Sequence, residues 1–284
     1  MAVVISMINL KGGVGKTQLT VSLGEFLVRE FGKKVSVIDL DPQTNATVML
    51  IGDRRWKELN ERGRTLFQLF KDKIDRTSKF CIEDSIVSPT SNVDGGLEDL
   101  HLLPSSLDLI EIQDRIPSIS QDQFGVVSPA TVLESAVRNI IHDYDFVLID
   151  CPPNLGIITL NGLYISDYYL IPTKADYIST YGIPQIISRV HEFNRASGKN
   201  VQPLGIVITM YSGYQKNLHE TVIDLLKREE NYPKVFVNKI PLRQKIAETA
   251  YYDDTTYTLK QKYGEAYKHL YDLTREIMAE VSEG

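Results

Sequence analysis

Asn9-Leu10-Lys11-Gly12-Gly13-Val14-Gly15-Lys16-Thr17-Gln18 is the stretch that decides how this chain is read. The apolar run Val3-Val4-Ile5-Ser6-Met7-Ile8 enters it and reads as a buried strand. Residues Leu19 to Glu30 leave it, with Leu19, Val21, Leu23, Phe26 and Leu27 at largely helical spacing and Gly32 as a stop. Strand, glycine-rich turn, lysine, hydroxyl and helix form the pattern of a phosphate-binding loop. Gly12, Gly13 and Gly15 let backbone N–H groups, including that of Val14, turn onto a polyphosphate, and the helix N-terminus adds a favourable dipole. Lys16 is placed to reach the β and γ phosphates, and the Thr17 hydroxyl to sit on Mg²⁺. The usual pattern wants a glycine five residues before Gly15. Leu10 holds that slot, and a second lysine, Lys11, follows it.

Working outward, Lys34 to Leu40 reads as a buried strand ending in Asp39-Leu40-Asp41-Pro42-Gln43. A carboxylate at the C-terminal end of a strand, beside a phosphate loop, lies where open α/β sheets bind ligands. Tyr144 to Asp150 gives a second such strand, apolar and ending in Asp150, of Walker-B type. Asp150 is expected to hold the hydration shell of Mg²⁺ or the Thr17 hydroxyl. Further strands are expected at Leu100–Ser105, Asp167–Pro172, Pro203–Tyr211 and, briefly, Val235–Val237. Helices are expected at Leu107–Arg115, from Ser128-Pro129, at Leu155–Ile165, Gly182–Ala196, Tyr214–Arg228 and Tyr263–Val281, with Thr65 a cap for a short helix and residues 117 to 128 a polar loop. Residues 51 to 99 carry little signal.

The chain has 284 residues, 43% hydrophobic and 24% charged, with a net charge of −6, which fits an ordinary globular protein and gives no global basic footprint for nucleic acid. Cys81 and Cys151 are the only cysteines, and two isolated thiols suit a reducing compartment better than a disulfide framework. No apolar run approaches the roughly 20 residues that span a bilayer. A cytoplasmic location without a leader peptide is expected.

The run Lys11 to Thr17 resembles the deviant Walker-A ATPases, the group of ParA/Soj partition proteins, MinD and the nitrogenase iron protein. The resemblance implies a P-loop NTPase fold in one domain over residues 1–284, α/β, with a mostly parallel twisted sheet and helices on both faces. It implies ATP and Mg²⁺ as cofactors. Lys11 becomes the signature lysine that reaches the partner subunit's ATP in a sandwich homodimer. Asp41 becomes the residue that orients the attacking water and holds Mg²⁺ through water, with Asp39 in support. Gln18 stands where the family has a second Ser or Thr. The Asn45-Ala46-Thr47 tail, Thr209-Met210-Tyr211 and Ile240-Pro241-Leu242-Arg243 are similar to ParA segments, which places Met210, Pro241 and Leu242 near adenine. Thr173-Lys174-Ala175-Asp176 also matches the guanine-reading motif of signal-recognition-type GTPases, so a GTP-using relative stays open, although the motif falls one strand early.

The function implied is slow ATP hydrolysis that positions a cargo. An ATP-bound dimer binds DNA of the nucleoid without sequence preference, and a ParB-like or cargo adaptor protein stimulates hydrolysis and release. Plasmid, chromosome and carboxysome cargoes all fit. Arg189, Lys199, Lys216, Arg243, Lys245, Lys260 and Lys262 are the candidate DNA contacts, sequence-blind and salt-sensitive. A MinD-like membrane-surface ATPase is the rival. It needs a basic amphipathic tail, whereas Glu276 to Gly284 is acidic. A cluster-carrying ATPase is disfavoured by the isolated cysteines.

Overall fold

The computed structural model describes residues 2–118, 128–253 and 255–283. The polar loop expected at residues 117 to 128 therefore lies mostly outside the described residues. The elements in chain order are β1 (Val3–Met7), α1 (Lys16–Phe31), β2 (Val35–Asp39), α2 (Asn45–Glu61), α3 (Leu66–Asp75), α4 (Ile82–Ser85), β3 (Leu100–Leu103), α5 (Leu109–Ile112), α6 (Val132–Val137), β4 (Phe146–Asp150), α7 (Ile157–Ile165), β5 (Tyr168–Lys174), α8 (Tyr177–Thr180), α9 (Ile183–Ser197), β6 (Gln202–Thr209), α10 (Lys216–Arg228), α11 (Gln244–Glu248), α12 (Leu259–Tyr263) and α13 (Tyr267–Glu283).

The six strands form one sheet in the order β3-β2-β4-β1-β5-β6, and every neighbouring pair is parallel. Crossover helices cover both faces, so the central strands are buried throughout and read as unbroken apolar runs. One core packs Leu19, Leu23, Phe26 and Leu270 of α1 and α13 against Ile5, Val37 and Leu148. The other packs Leu163, Ile186 and Val222 against Val4, Ile149 and Ile206. The register sets Met7 beside Asp150 and Asp39 beside Asp150, so three strands deliver their ends to one place. β1 is the switch point, flanked by β4 and β5, and the loop it feeds opens at the sheet's C-terminal edge.

Four expectations need correction. Val235 to Val237 is no strand, because only Val235 bridges Ile206. The amides after Phe236 are captured by α13: Val237 N and Asn238 N donate to the Glu276 carboxylate at 2.8 and 3.0 Å, which turns the segment off the sheet. Phe236 packs so closely on β6 that a Cβ at Gly205 would meet its ring at 2.4 Å. The helix expected over Leu107–Arg115 forms only at Leu109–Ile112. The last helix starts at Tyr267, since Gly264 at φ +53° breaks it from α12. Thr65 holds the N-cap position of α3, but its hydroxyl turns to Asn60 at 3.4 Å. Ser128 does cap, accepting from Ala130 N at 3.4 Å.

A charged cluster is buried behind the phosphate loop. Glu25 of α1 is fully buried, and it accepts from Lys262 Nζ at 2.5 Å, Ser91 Oγ at 2.5 Å and Tyr263 OH at 2.7 Å. This cluster ties the helix behind the phosphate loop to α12. Removing one member of a buried pair strands the other charge, at a cost of about 3–5 kcal/mol. Lys262→Ala should therefore lower unfolding free energy in urea by about that amount, whereas Glu25→Leu with Lys262→Met should cost less than Lys262→Ala alone. A single-variant loss below about 1 kcal/mol would show that the pair contributes little.

Candidate nucleotide site

Gly13 at φ +69° and Gly15 at φ +81° give the loop its two left-handed turns, which a side chain would strain. A Cβ at Gly15 would also come within 3.5 Å of the Thr209 side chain. Thr209 Oγ1 lies 2.7 Å from Val14 O and 3.1 Å from Thr173 O, so the end of β6 holds the loop against β5. Asn9 does the same from the other side. Its buried amide donates to Pro172 O at 2.8 Å and its Oδ1 accepts from Lys11 N at 2.9 Å. Sequence reasoning passed over Asn9 and Thr209 as anchors. The available signal was a carboxamide at the strand-to-loop junction and a hydroxyl at a strand end.

The two lysines of the loop point different ways. Lys16 Nζ is buried in the loop's concavity, 3.3 Å from both Asn9 O and Lys11 O. Burial lowers its pKa, against the pull of Asp150 and Asp41. Lys11 turns outward. Its Nζ donates to Ser179 Oγ at 3.0 Å and lies 3.8 Å from Asp176 Oδ1, with its side chain 42% exposed.

Three carboxylates face Lys16's side of the sheet edge. Asp39 is fully buried; its Oδ2 accepts from Thr47 N at 2.9 Å and Thr47 Oγ1 at 2.7 Å, and its Oδ1 from Asp41 N at 3.1 Å. Burial and the Asp150 charge push its carboxyl well up, despite the Thr47 bonds. Asp39 thus shapes the turn that carries Asp41. Ser105, just past the end of β3, supports this turn, with Oγ donating to Asp41 O at 2.8 Å. Asp41 is 7% exposed and accepts from Gln43 N at 3.0 Å. Asp150 is buried, with Oδ1 accepting from Thr20 Oγ1 at 3.3 Å. Burial pushes its carboxyl up to about 7, against the neighbouring Thr17 hydroxyl and the Lys16 charge.

Two buried side-chain atoms here reach no hydrogen-bond partner: Asp150 Oδ2, an acceptor, and Gln18 Nε2, a donor. An acceptor without a donor suits the water shell of Mg²⁺; a donor without an acceptor, at the first turn of a helix, suits an anion. Gln18 Oε1 accepts from Thr249 Oγ1 at 3.0 Å, which joins the loop helix to α11. The residues fit a Mg²⁺ held through Thr17, Asp41 and Asp150 by water and phosphate. Among the described residues no group of three or more His, Cys, Asp or Glu could hold a metal on its own.

On the far side, Tyr211 N donates to Ile240 O at 2.9 Å and Leu242 N to Tyr211 O at 2.8 Å. This pairing brings Met210, Pro241 and Leu242 together beside Thr209. The guanine-reading alternative loses its residue. Asp176 accepts from Ser179 N and Ser179 Oγ, both at 2.7 Å, so it caps α8 and faces Lys11. Burial pushes its carboxyl up, but the Ser179 bonds and the Lys11 and Lys174 charges outweigh it and hold it low. Cys151 is buried with its thiol pushed up by burial, and Cys81 lies apart and exposed, so they form no cluster site.

Of the candidate DNA contacts, Lys262 is overturned. It is 5% exposed and committed to Glu25. Arg189, Lys216, Arg243, Lys245 and Lys260 are exposed and Lys199 is half-buried. Arg189, Arg243 and Lys245 pair with Glu192, Glu265 and Glu248 in surface contacts that exchange cheaply.

The family model for the AAA domain matches residues 2–203. The chromosome-partitioning ATPase Soj of Thermus thermophilus is 31% identical over 281 residues, covering 98% of this chain and 96% of its own. The chain belongs to the ParA/Soj family of partition ATPases. In fold it resembles the ATP complex of Cyanothece McdA, with a TM-score of 0.74 and 19% identity over 99% of this chain and 96% of that one. It also resembles the cobyrinic acid a,c-diamide synthase of Mycobacterium smegmatis, with a TM-score of 0.71 and 24% identity over 96% and 93%. Because a synthase shares this fold, the ParA/Soj assignment rests on the sequence relatives.

A raised carboxyl binds its proton in the folded state before it does so unfolded. Its stabilising contribution is complete below the ordinary value of 3.8 and is lost as pH rises through about 7. The melting temperature without nucleotide or Mg²⁺ should therefore fall across that window, and Asp150→Asn should flatten the fall. An unchanged slope in Asp150→Asn would mean that this carboxyl does not titrate there.

Proposed function

We propose that the protein is a partition or positioning ATPase that works as an ATP-closed homodimer. The observation that carries this reading is the divergence of the two loop lysines. Lys16 lies inside its own loop, while Lys11 is turned out of it and half exposed. A lysine so placed serves a nucleotide approached from outside, in a second copy of the chain.

ATP is the substrate, with Mg²⁺. When bound, the metal would supply charge neutralisation to the phosphates. Lys16 neutralises the γ-phosphate from within and Lys11 from the partner. Thr17 and Asp150 would hold the metal and its water. Asp41, on a turn braced by Asp39 and Ser105, orients the attacking water. The backbone N–H groups of Gly12, Gly13, Val14 and Gly15 cradle the phosphates, and Met210, Pro241 and Leu242 border the base. Little covalent chemistry is asked of the protein; it positions charge and water, which suits slow basal turnover.

The ATP-bound dimer binds DNA without sequence preference through some of Arg189, Lys199, Lys216, Arg243, Lys245 and Lys260, and a cargo-bound adaptor stimulates hydrolysis and release. The whole 284-residue chain acts as one domain in the cytoplasm. No described helix is long and apolar enough to cross a membrane.

Lys11→Ala should remain monomeric in MgATP by light scattering, under conditions that dimerise the parent; a dimer of parental strength would sink the reading of Lys11. Asp41→Ala should keep ATP binding and lower turnover about 100-fold or more, about 100-fold being the lower end of the range for a positioned base. Turnover at the parental rate would remove Asp41 from hydrolysis. In gel-shift assays with MgATP, parental binding to random-sequence DNA should weaken steeply with salt, and the absence of any shift at low salt would exclude the DNA role.

A further inference from the structure

The first turn after β5 carries more than the cap that meets Lys11. Between α8, the start of α9 and α10 runs a groove with a cavity of about 290 Å³. Its floor is apolar, with Val222 buried, while Leu225 stands 44% exposed on its wall. Three tyrosines line it, Tyr177, Tyr181 and Tyr232, and the first two are 53% and 82% exposed. Its one charged lining residue is Glu229, which forms no ion pair among the described residues.

Large exposed aromatic side chains around a small concavity are costly to leave in water and commonly mark an interaction site. Several tyrosine faces with one carboxylate select the sign of the guest. Aromatic faces attract cations, and Glu229 adds a full negative charge. A planar guanidinium stacks on tyrosine and pairs with a carboxylate at once, which an ammonium does less well. The apolar floor requires hydrophobic neighbours on the guest.

We propose that this groove docks a segment of a partner protein that presents an arginine or lysine among apolar side chains. The cation sits between the tyrosine faces and Glu229, and the apolar residues cover Val222 and Leu225. The inference rests on the reading of this protein as a partner-stimulated partition ATPase, and it gives that partner a place and a chemistry. The place has a mechanical consequence. Ser179, which accepts from Lys11 Nζ at 3.0 Å, lies between Tyr177 and Tyr181 on the same helical turn. A guest held by those tyrosines therefore loads the element that holds Lys11.

The test is to pan a random-peptide phage library against the parent protein in MgATP, synthesise the most enriched peptide, and measure its affinity by fluorescence anisotropy. The expected peptides carry arginine or lysine beside apolar residues, and affinity falls about tenfold or more for Glu229→Lys and for Tyr181→Ala, while basal ATP turnover stays at the parental rate. Peptides without a cation, no enrichment, or affinities indifferent to both variants would overturn the proposal. A loss of ATP-dependent dimer mass in Tyr181→Ala, with peptide affinity unchanged, would also overturn it by making a second copy the occupant. Basal turnover of the parent separates the two levels. If it is absent, the ATPase reading fails; if it is present and the peptides fail, only the groove assignment does.

Discussion

Lys16 shares its end of the sheet with Asp39, Asp41 and Asp150, and all four are nearly out of reach of solvent. Three acids against one base, in a medium that screens poorly, is an arrangement that folding resists. The surroundings show how it is tolerated. Thr47 gives two bonds to Asp39, Ser105 steadies the backbone of Asp41, Thr20 meets Asp150, and backbone carbonyls receive Lys16. Most of these donors come from the ends of neighbouring strands and helices, so the parallel sheet is the device that gathers them. The remaining imbalance is relieved by protons on the buried carboxyls, or by a divalent cation that brings positive charge of its own.

Much of this centre was legible in the amino-acid order. A glycine loop between an apolar run and a helix admits few other structures, and aspartates that end apolar runs can only arrive at the same sheet edge when the strands are parallel. The positions of Lys16, Thr17, Asp41 and Asp150 follow from that local grammar. The pairing of Met210 with Pro241 and Leu242 came from likeness to ParA segments, because nothing local in either stretch demands that the two meet.

The rest depended on contacts between residues far apart in the chain. Lys262 looked like any surface cation, since Glu25, its partner, lies 237 positions away. Val235-Phe236-Val237 has the composition of a strand, but Glu276 competes for its amides from the last helix. Asp176 matched a base-reading motif until its side chain was found closing α8. In each case local propensity was sound and a remote polar group decided the outcome. The identity of Asn9 as an anchor was hidden for the same reason, because its acceptor belongs to β5.

The segment that failed to become a strand has its own importance. On one margin of the sheet Val235 and Phe236 cover β6, with Phe236 N donating to Ile206 O at 2.9 Å. On the other, Val87 exchanges hydrogen bonds of 2.8 and 3.0 Å with Leu102 of β3. Neither outer strand is left with a free row of amides and carbonyls for a foreign strand to zip onto. The sheet is thereby closed to the one kind of association that does not readily come undone, and encounters with other molecules are left to loops and side chains, where binding is reversible.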